Sequence, residues 1–324
     1  MKIHPAMKQG FVPLFVQLLL ITLIILNMIH RRVDAYQTSF PKPSDNDQVL
    51  LTVTVRDDDG RLVSNLPKTT FTIYDDKTQQ EISIFQGNDQ PLSIAIVFDL
   101  SRSMITEDTG GFNLLKESLK RFVELSHTSN EYFILGFANQ SQLILDWTHN
   151  RDSVIQALTE LKADRSSSRS VLFDACYVAI DKLRRGSHSR QVILLMTDGQ
   201  ESNSHHNYNQ VERLFQESNV VLYSMGFVQT GDPLVEYGKE VLSNFCNLSG
   251  GLIFVYKTKS QIKLAFESVA SELRNQYVIG FKPIKSGDDK VHKVKVDVKW
   301  ERSGKKLSLQ ARTRKVYYSV KGTK

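Results

Sequence analysis

Short apolar runs alternate with amphipathic stretches through the middle of the chain. The apolar runs lie at 92–99, 131–138, 141–147, 190–198, 220–227 and 251–256. Apolar residues recur with helical spacing between and after them, at 112–127, 151–164, 170–185, 211–218, 233–251 and 259–276. Buried strands that alternate with helices are typical of a mostly parallel sheet with helices on both faces. We therefore predict a doubly wound α/β domain with a six-stranded sheet over residues 91–275.

Alternating polar and apolar positions flank this domain on both sides. Residues 48–88 begin with VLLTVTVRDDDGRLV, which predicts a strand, an acidic turn ending at Gly60 and a return strand. Residues 276–320 alternate in the same way. Because neither piece can easily bury its apolar face alone, we expect both to form one small β-sandwich that the α/β domain interrupts. The alternative is two hairpin pieces that pack separately, without strand pairing between them.

The amino-terminal part of the chain carries an uncharged apolar segment. Residues 11–29 would span about 28 Å as a helix, close to the roughly 30 Å hydrocarbon core of a bilayer. Two lysines precede the segment and Arg31 and Arg32 follow it, a balance that slightly favours an inside amino terminus. We predict that residues 1–35 are a cleaved signal peptide or a retained membrane anchor, and that residues 36–47 are a linker. A buried helix of a soluble domain is the third interpretation, although no polar face interrupts the run.

Two aspartates follow buried strands at corresponding places. Asp99 ends the first apolar run and Asp198 ends the fourth. In a doubly wound sheet of order 3-2-1-4 the first and fourth strands are neighbours, and ligands bind beyond their carboxyl ends. Ser101 and Ser103 add two hydroxyls on the loop after Asp99. Oxygen donors without Cys or His favour Mg²⁺ or Mn²⁺ rather than zinc or copper, so we predict a hard-cation site at this edge.

These residues lie in motifs that resemble those of a known family. The stretch DLSRSM at 99–104 resembles the DxSxS motif of von Willebrand factor A domains, and MTDG at 196–199 resembles their second aspartate motif. SVLFDA at 170–175 resembles their third motif, with Ser170 in place of the usual threonine. A serine keeps the hydroxyl group but lacks the β-methyl group that restricts the rotamer. The flanking strands, over roughly residues 49–320, are similar to a bacterial VWFA-related family first described from Acidobacteria.

The resemblance implies a Rossmann-like fold with a metal-ion-dependent adhesion site (MIDAS). Asp99, Ser101 and Ser103 would supply the first loop, with the two serines as direct ligands. Ser170 would be a direct or switching ligand, and Asp198 would hold the ion through a water. The ion would be Mg²⁺, or Mn²⁺ or Ca²⁺ in its place. One coordination position would stay open for a carboxylate of a protein partner, because an incompletely coordinated cation attracts such an anion.

Other polar residues near these motifs have structural interpretations beside the functional ones. Asp174 either orients the site through hydrogen bonds or suits the positive end of its helix. His205 and His206 are adjacent, so we expect a solvated rim rather than a zinc site. Cys176 and Cys246 fall on predicted helices of different crossovers, which are often too far apart for a disulfide.

Charge and motif content argue against several classes of function. The formal net charge of the 324 residues is +6. Residues 282–324 hold 14 basic and 4 acidic residues, whereas residues 36–281 hold 23 basic and 30 acidic ones. The basic excess is therefore confined to the targeting segment and a tail that could dock on the acidic domain, which argues against a nucleic-acid-binding protein. No phosphate-binding loop, dinucleotide motif or base beside a serine nucleophile is recognisable, so we predict a non-enzymatic protein.

Together these features predict an exported adhesion or assembly module that binds a protein ligand. We expect it in the bacterial periplasm, on the cell surface or secreted, with residues 11–29 in the inner membrane if they are not cleaved. One alternative is a metal-independent scaffold of the cell envelope whose metal site is degenerate. Another is membrane-surface binding through the basic tail.

Overall fold

The computed structural model describes residues 48–104, 111–164, 166–227, 233–256, 258–284, 286–302 and 305–320. The predicted targeting segment at 1–35 and the linker at 36–47 lie outside the described residues. Within the described ranges, no helix is both long enough and apolar enough to cross a bilayer.

Four strands come before the α/β domain. They are β1 (Val49–Asp57), β2 (Phe71–Asp75), β3 (Thr78–Gln80) and β4 (Ile82–Gln86). The return strand predicted after Gly60 was wrong, because the structure has only a single bridge there, between Arg56 and Leu62. Asn65 has a φ of 61° and Pro67 cannot donate a backbone hydrogen bond, so the chain leaves the edge of β1 at this point. On the opposite edge of β1, Arg56 pairs with Gln310 from the carboxyl-terminal part of the chain.

The α/β domain is built on a central sheet of six strands. In chain order these are β5 (Ser93–Asp99), β6 (Glu131–Phe137), β7 (Ser141–Thr148), β8 (Gln191–Met196), β9 (Val220–Phe227) and β10 (Leu252–Tyr256). Their spatial order is β10-β9-β8-β5-β6-β7, and only β7 is antiparallel to its neighbour. The predicted doubly wound sheet is confirmed, and its first and fourth strands, β5 and β8, are parallel neighbours.

Six described helices cover the two faces of this sheet. They are α1 (Gly111–Leu125), α2 (Arg151–Glu160), α3 (Leu172–Leu183), α4 (Tyr208–Glu217), α5 (Pro233–Ser249) and α6 (Lys259–Arg274). Side chains of β5 alternate between the faces, so Ile94, Ile96 and Phe98 pack with α1, α2 and α6. Ala95 and Val97 pack with α3, α4 and α5 on the other face. Both faces are therefore buried, which is why the strands are continuous apolar runs.

The carboxyl-terminal strands complete a β-sandwich with the amino-terminal ones. They are β11 (Tyr277–Phe281), β12 (Lys290–Val298), β13 (Trp300–Arg302), β14 (Lys305–Leu307), β15 (Leu309–Arg312) and β16 (Val316–Ser319). One sheet has the order β15-β1-β11-β4 and the other β16-β12-β2-β3, while β13 and β14 form a separate hairpin. Because β1 pairs with β11 and β15, and β2 pairs with β12, the predicted single sandwich is confirmed.

A buried carboxylate joins the sandwich to the α/β domain. Glu272 of α6 is 1% exposed and accepts hydrogen bonds from Arg56 of β1, at 2.8 Å, and from Arg312 of β15. The hydroxyl of Tyr223 in β9 donates to the same carboxylate. Arg314, two residues beyond Arg312, donates to backbone carbonyls at the carboxyl end of α4. Arginines of the basic tail therefore hold the two parts of the chain together, as the charge distribution suggests.

Candidate metal centre

The pairing of β5 with β8 brings the two predicted aspartates to one edge of the sheet. Asp99 is the last residue of β5 and Asp198 follows β8 by two positions. Asp99 is fully buried, and Asp198 is 9% exposed. Ser101, on the loop after β5, is also buried, whereas Ser103 in the short 3-10 helix of Arg102–Met104 is exposed. The cluster is thus closed on the sheet side and open at Ser103.

Three segments of the chain meet on the Asp99 carboxylate. Its Oδ1 accepts a hydrogen bond of 2.9 Å from the backbone N–H of Ser101, which closes the turn after β5. Its Oδ2 accepts hydrogen bonds from the Thr197 hydroxyl at 2.8 Å and from the Ser170 hydroxyl at 3.3 Å. Asp99 therefore fixes the positions of the hydroxyl groups around it.

The hydroxyl oxygens are spaced as ligands of a small cation would be. Ser101 Oγ and Ser103 Oγ lie 3.0 Å apart. In an octahedral Mg²⁺ site with bonds of about 2.1 Å, neighbouring ligand oxygens are about 3.0 Å apart. The donor set of carboxylates and hydroxyls is the kind that Mg²⁺, Mn²⁺ and Ca²⁺ prefer. The residues present therefore fit a hard divalent cation, which Ser101, Ser103 and Ser170 would hold beside Asp99 and Asp198.

The electrostatics of the cluster also favour a cation. Burial raises the pKa of Asp99, and the neighbouring Asp198 carboxylate raises it further, to about 7, against hydrogen bonds from Ser101 and Thr197 that lower it. Two neighbouring carboxylates at the buried side of the site repel each other. A divalent ion held by these residues would offset this repulsion and favour the charged form of Asp99.

Glycines hold the Asp198 loop against a helix. Gly199 has a φ of 86°, a conformation that side-chain-bearing residues rarely adopt, and its backbone contacts that of Gly238 in α5. A Cβ atom on Gly238 would lie 2.3 Å from the Gly199 carbonyl oxygen. On the same loop, Asp198 Oδ1 accepts a hydrogen bond of 3.0 Å from Gln200 N–H. The position of Asp198 therefore depends on a close backbone contact that only glycine permits.

Several residues near the cluster were not identified from the sequence. Thr197 holds Asp99, and Ser202 bonds to the backbone of Ser170 in both directions, donating its N–H to the Ser170 carbonyl at 3.0 Å. Glu201 Oε2 accepts a hydrogen bond of 3.0 Å from Phe173 N–H and so caps the start of α3. The loop after Asp198 is thereby fastened to the loop that carries Ser170. Only the adjacency of Thr197 to Asp198 in the sequence could have suggested any of these roles.

Among the described residues, the carboxylate of Asp174 bonds to His205 and His206 and not to the predicted metal ligands. Its two carboxylate oxygens accept hydrogen bonds from the backbone and Nδ1 atoms of His205 and His206, with Nδ1 distances of 3.0 and 2.6 Å. Burial raises the pKa of Asp174, but these hydrogen bonds outweigh it and lower the pKa overall. Each histidine faces one oxygen of the same carboxylate, so the pair orders the rim of the site.

The two cysteines are both buried and unbonded. Burial raises the pKa of Cys246 to about 12 and that of Cys176 as well. Thiols of this kind are unreactive at neutral pH. They contribute to packing between the sheet and helices α3 and α5.

The fold and the cluster together define a doubly wound α/β domain with oxygen donors at the switch point of its sheet. The model of the von Willebrand factor type A domain family matches residues 93–267, more than half of the chain. The chain therefore belongs to the von Willebrand factor type A domain family, as its motifs indicate. No protein of curated function matches the sequence significantly.

Solved structures of the same fold are distant in sequence. Proximal thread matrix protein 1 from the mussel byssus, solved with a zinc-occupied MIDAS motif, is 17% identical with a TM-score of 0.51, over 61% of this chain and 48% of that one. A von Willebrand factor type A protein from Catenulispora acidiphila is 11% identical with a TM-score of 0.46, over 84% of this chain and 75% of that one. The chain spans about half the length of the mussel protein. At this identity, the likeness to the mussel protein shows the fold alone.

Proposed function

We propose that the chain is an exported, non-enzymatic module that binds a protein ligand through a divalent cation of the Mg²⁺ type. The ligands of the cation are Asp99, Ser101, Ser103, Ser170 and Asp198. The observation that carries the proposal is the buried Asp99 carboxylate, which is hydrogen-bonded to three segments and flanked by two hydroxyl oxygens 3.0 Å apart. When bound, the ion supplies a positive charge with an open coordination position.

The arrangement favours binding over catalysis. Ser101 and Ser103 hydrogen-bond to each other, and within the described ranges no histidine or lysine bonds to either hydroxyl. A serine nucleophile needs such a base, whereas a partly coordinated cation attracts a carboxylate without one. The exposed side of the site, at Ser103, is where a carboxylate of a partner protein would reach the ion. The loop of 201–206, fastened to Ser170 and Asp174, forms part of the rim that selects the partner.

Calorimetry tests the metal site directly. The full chain in mild detergent, stripped of metal with a chelator, is titrated with Mg²⁺ and with Mn²⁺. We expect one site for either ion in the wild type and none in Asp99→Ala, while the control Asp58→Ala, an exposed carboxylate of the sandwich, binds as the wild type does. Equal binding by Asp99→Ala and the wild type would falsify the site and favour the metal-independent scaffold.

Partner capture then tests the role of the ion. Immobilised wild-type chain and Asp99→Ala are exposed to envelope extract, with and without chelator. We expect a protein that is retained only by the wild type and released by the chelator. A partner retained equally by both chains would mean that recognition does not use the ion. Binding to anionic vesicles that collapses with salt would support the basic tail as the contact surface instead.

The proposed export rests on the apolar segment at 11–29 and is tested separately. An epitope tag at the carboxyl terminus of the full chain is exposed to protease in intact spheroplasts and in lysed ones. We expect digestion in both. Protection in the intact spheroplasts would place the module on the cytoplasmic side and contradict export.

A further inference from the structure

A second group of metal-binding side chains lies in the β-sandwich. Asp75 ends β2, Asp76 begins the turn after it, His292 lies in β12 and Asp288 lies on the loop before β12. We call these four residues the sandwich cluster. Ligand atoms of Asp75, Asp76 and His292 all lie within 4.8 Å of one another. The cluster arises from the pairing of β2 with β12, which brings together residues 216 positions apart.

The imidazole of His292 is held in a fixed orientation. Its Nδ1 lies 2.8 Å from Asp76 Oδ2, and its Nε2 lies 2.9 Å from Asp288 Oδ1. The ring of Tyr317 stacks on it, with centroids 5.2 Å apart and planes at 20°. The Tyr317 hydroxyl donates a hydrogen bond of 3.1 Å to Asp75 Oδ2. Nδ1 of His292 therefore faces Asp76, while Nε2 is held by Asp288 on the other side of the ring.

The cluster contains a buried acceptor that lacks a donor. Asp75 is 7% exposed, and its Oδ1 has no hydrogen-bond partner among the described residues. Burial raises the pKa of Asp75, as do Asp76 and Asp288, against Tyr317 and His292, which lower it. A buried carboxylate oxygen without a partner is costly, because it has lost its hydrogen bonds to water. This oxygen is the atom that a cation would satisfy.

The charge of the cluster is not balanced by basic side chains. Three carboxylates face one histidine, and the ion pairs of Asp76 and Asp288 in the described chain are both with His292. The backbone N–H of Lys293 lowers the pKa of Asp76, and the hydrogen bond to His292 lowers that of Asp288. The charges of Lys293 and Lys290 add to these effects, but neither lysine forms an ion pair with the two carboxylates in the described chain. The cluster therefore carries excess negative charge, and the half-exposed side chain of Asp76 leaves it open to solvent.

We propose that Asp75, Asp76 and His292 bind a divalent transition-metal ion of the zinc class. A nitrogen donor with two carboxylates suits Zn²⁺, in contrast to the all-oxygen donor set around Asp99. Asp288 is a positioning residue, because a carboxylate that accepts the second imidazole N–H is the usual support of a metal-bound histidine. The ion replaces the proton on His292 Nδ1, which leaves to solvent.

The distance between His292 Nδ1 and Asp76 Oδ2 is compatible with this exchange. Neighbouring ligands of a tetrahedral Zn²⁺ with bonds of about 2.0–2.1 Å are about 3.3 Å apart. The 2.8 Å between His292 Nδ1 and Asp76 Oδ2 must therefore widen by about half an ångström. Asp76, at the start of a turn, can move by this amount more easily than a residue inside a strand. The bound ion would tie β2 to β12 and stabilise that sheet of the sandwich.

Zinc calorimetry on the full chain in detergent tests the proposal. Asp99→Ala is the parent, so that the oxygen-donor site does not contribute. We expect one equivalent of Zn²⁺ to bind the parent, with a rise in Tm, and binding at least a hundred-fold weaker in Asp99→Ala/His292→Gln. The control Asp99→Ala/His149→Gln removes an exposed histidine that also faces a carboxylate, that of Glu131, and it should bind as the parent does.

A second variant covers the case in which His292→Gln fails to fold. Asp99→Ala/Asp288→Asn keeps all three ligands, and we expect its Zn²⁺ affinity to fall by about ten- to a hundred-fold. With Co²⁺ in place of Zn²⁺, the parent should show a visible absorption band that this variant shifts. A parent that binds no Zn²⁺, a Zn²⁺ affinity unchanged in the Asp288 variant, or a loss confined to the His149 control would each overturn the proposal.

Discussion

The hydroxyl of Thr197 donates a hydrogen bond of 2.8 Å to Oδ2 of Asp99. Thr197 follows β8 and Asp99 ends β5, so this bond joins the ends of two neighbouring parallel strands at the point where the winding of the sheet reverses. Thr197 Oγ1 also accepts a hydrogen bond of 3.1 Å from the N–H of Gly199. One hydroxyl thus positions both the Asp99 carboxylate and the loop that carries Asp198.

Replacing Thr197 by valine should weaken metal binding without removing a ligand. Valine keeps the shape of the side chain, but Asp99 Oδ2 and Gly199 N–H each lose a partner. We expect the Mg²⁺ affinity in calorimetry to fall about ten-fold, which corresponds to about 1.4 kcal/mol, the usual worth of a hydrogen bond to a charged group. Thr159→Val, which removes the hydroxyl of an exposed helical threonine, is the control. An unchanged affinity in Thr197→Val would show that the bond does not position the site.

Position 170 should respond in opposite directions to two substitutions. Ser170→Ala removes the hydroxyl that lies 3.3 Å from Asp99 Oδ2, and we expect weaker binding of Mg²⁺. Ser170→Thr keeps the hydroxyl and adds a β-methyl group that limits its rotamers, so we expect tighter binding than in the wild type. Calorimetry on the three chains tests the order. If Ser170→Ala bound Mg²⁺ as tightly as the wild type, Ser170 would not be a ligand.

The stability of the metal-free protein should fall as the pH rises from about 4 to about 7. The folded state keeps a proton on Asp99 up to its raised pKa of about 7, whereas the unfolded chain loses it near the ordinary aspartate pKa of 3.8. Between these values the folded state binds more protons, so the free energy of unfolding decreases with pH, by at most about 1.4 kcal/mol per unit. Denaturant unfolding in chelator between pH 5 and 8 measures this slope.

Asp99→Asn is the matched control for this pH dependence. It has no titrating proton at position 99. The difference in unfolding free energy between the wild type and the variant should therefore decrease with pH by the amount that Asp99 contributes. Saturating Mg²⁺ should abolish the difference in slope, because the ion stabilises the charged carboxylate. Parallel pH profiles of the wild type and Asp99→Asn in chelator would contradict the raised pKa.

A methyl group on Gly238 should displace the loop that carries Asp198 and so disturb the proposed metal site. Its Cβ would lie 2.3 Å from the carbonyl oxygen of Gly199, so the loop carrying Asp198 must move. We expect Gly238→Ala to destabilise the chain by about 1–3 kcal/mol and to weaken Mg²⁺ binding. The control is Gly87→Ala, where no atom lies within 4 Å of the added Cβ. Loss of stability without any change in Mg²⁺ affinity would separate the packing contact from the site.

Neutralising Glu272 should loosen the sandwich from the α/β domain. Glu272→Gln leaves Arg56 and Arg312 without their counter-charge. Both arginines are partly exposed, so we expect a loss of about 2–4 kcal/mol rather than the full cost of a broken buried pair. Denaturant unfolding measures this loss of unfolding free energy, and Glu267→Gln, on the same helix, is the control. A loss no larger than that of the control would mean that the ion pairs do not hold the junction.

Local sequence patterns were sufficient to single out the residues that we propose as ligands of the first site. Asp99, Ser101 and Ser103 lie within five residues, and Asp198 follows a strand whose apolar run is easily recognised. The rule that parallel strands present their carboxyl ends at one edge then places these groups together. Thr197 was missed because its importance depends on which side of the strand end its hydroxyl faces.

The sandwich cluster could not be predicted in this way. The sequence shows that residues 71–75 and 290–298 alternate, but alternation does not say which strands pair or in what register. His292 meets Asp76 only because Val294 pairs with Asp75 across an antiparallel ladder that the whole α/β domain interrupts. The predicted return strand after Gly60 failed for a similar reason, since a distant strand, β11, pairs with β1 on the edge that the return segment begins to follow.

The sequence by itself determined the doubly wound domain, the order of its strands around β5 and the residues proposed for the first metal site. It did so because apolar periodicity fixes the elements, and the handedness of parallel crossovers limits how they can be arranged. Only the tertiary structure decided which hydroxyl holds Asp99, which glycines let the Asp198 loop pack on α5, and which histidine meets Asp75 and Asp76. Those contacts depend on register and side-chain direction between elements far apart in the chain, and local periodicity carries no information about either.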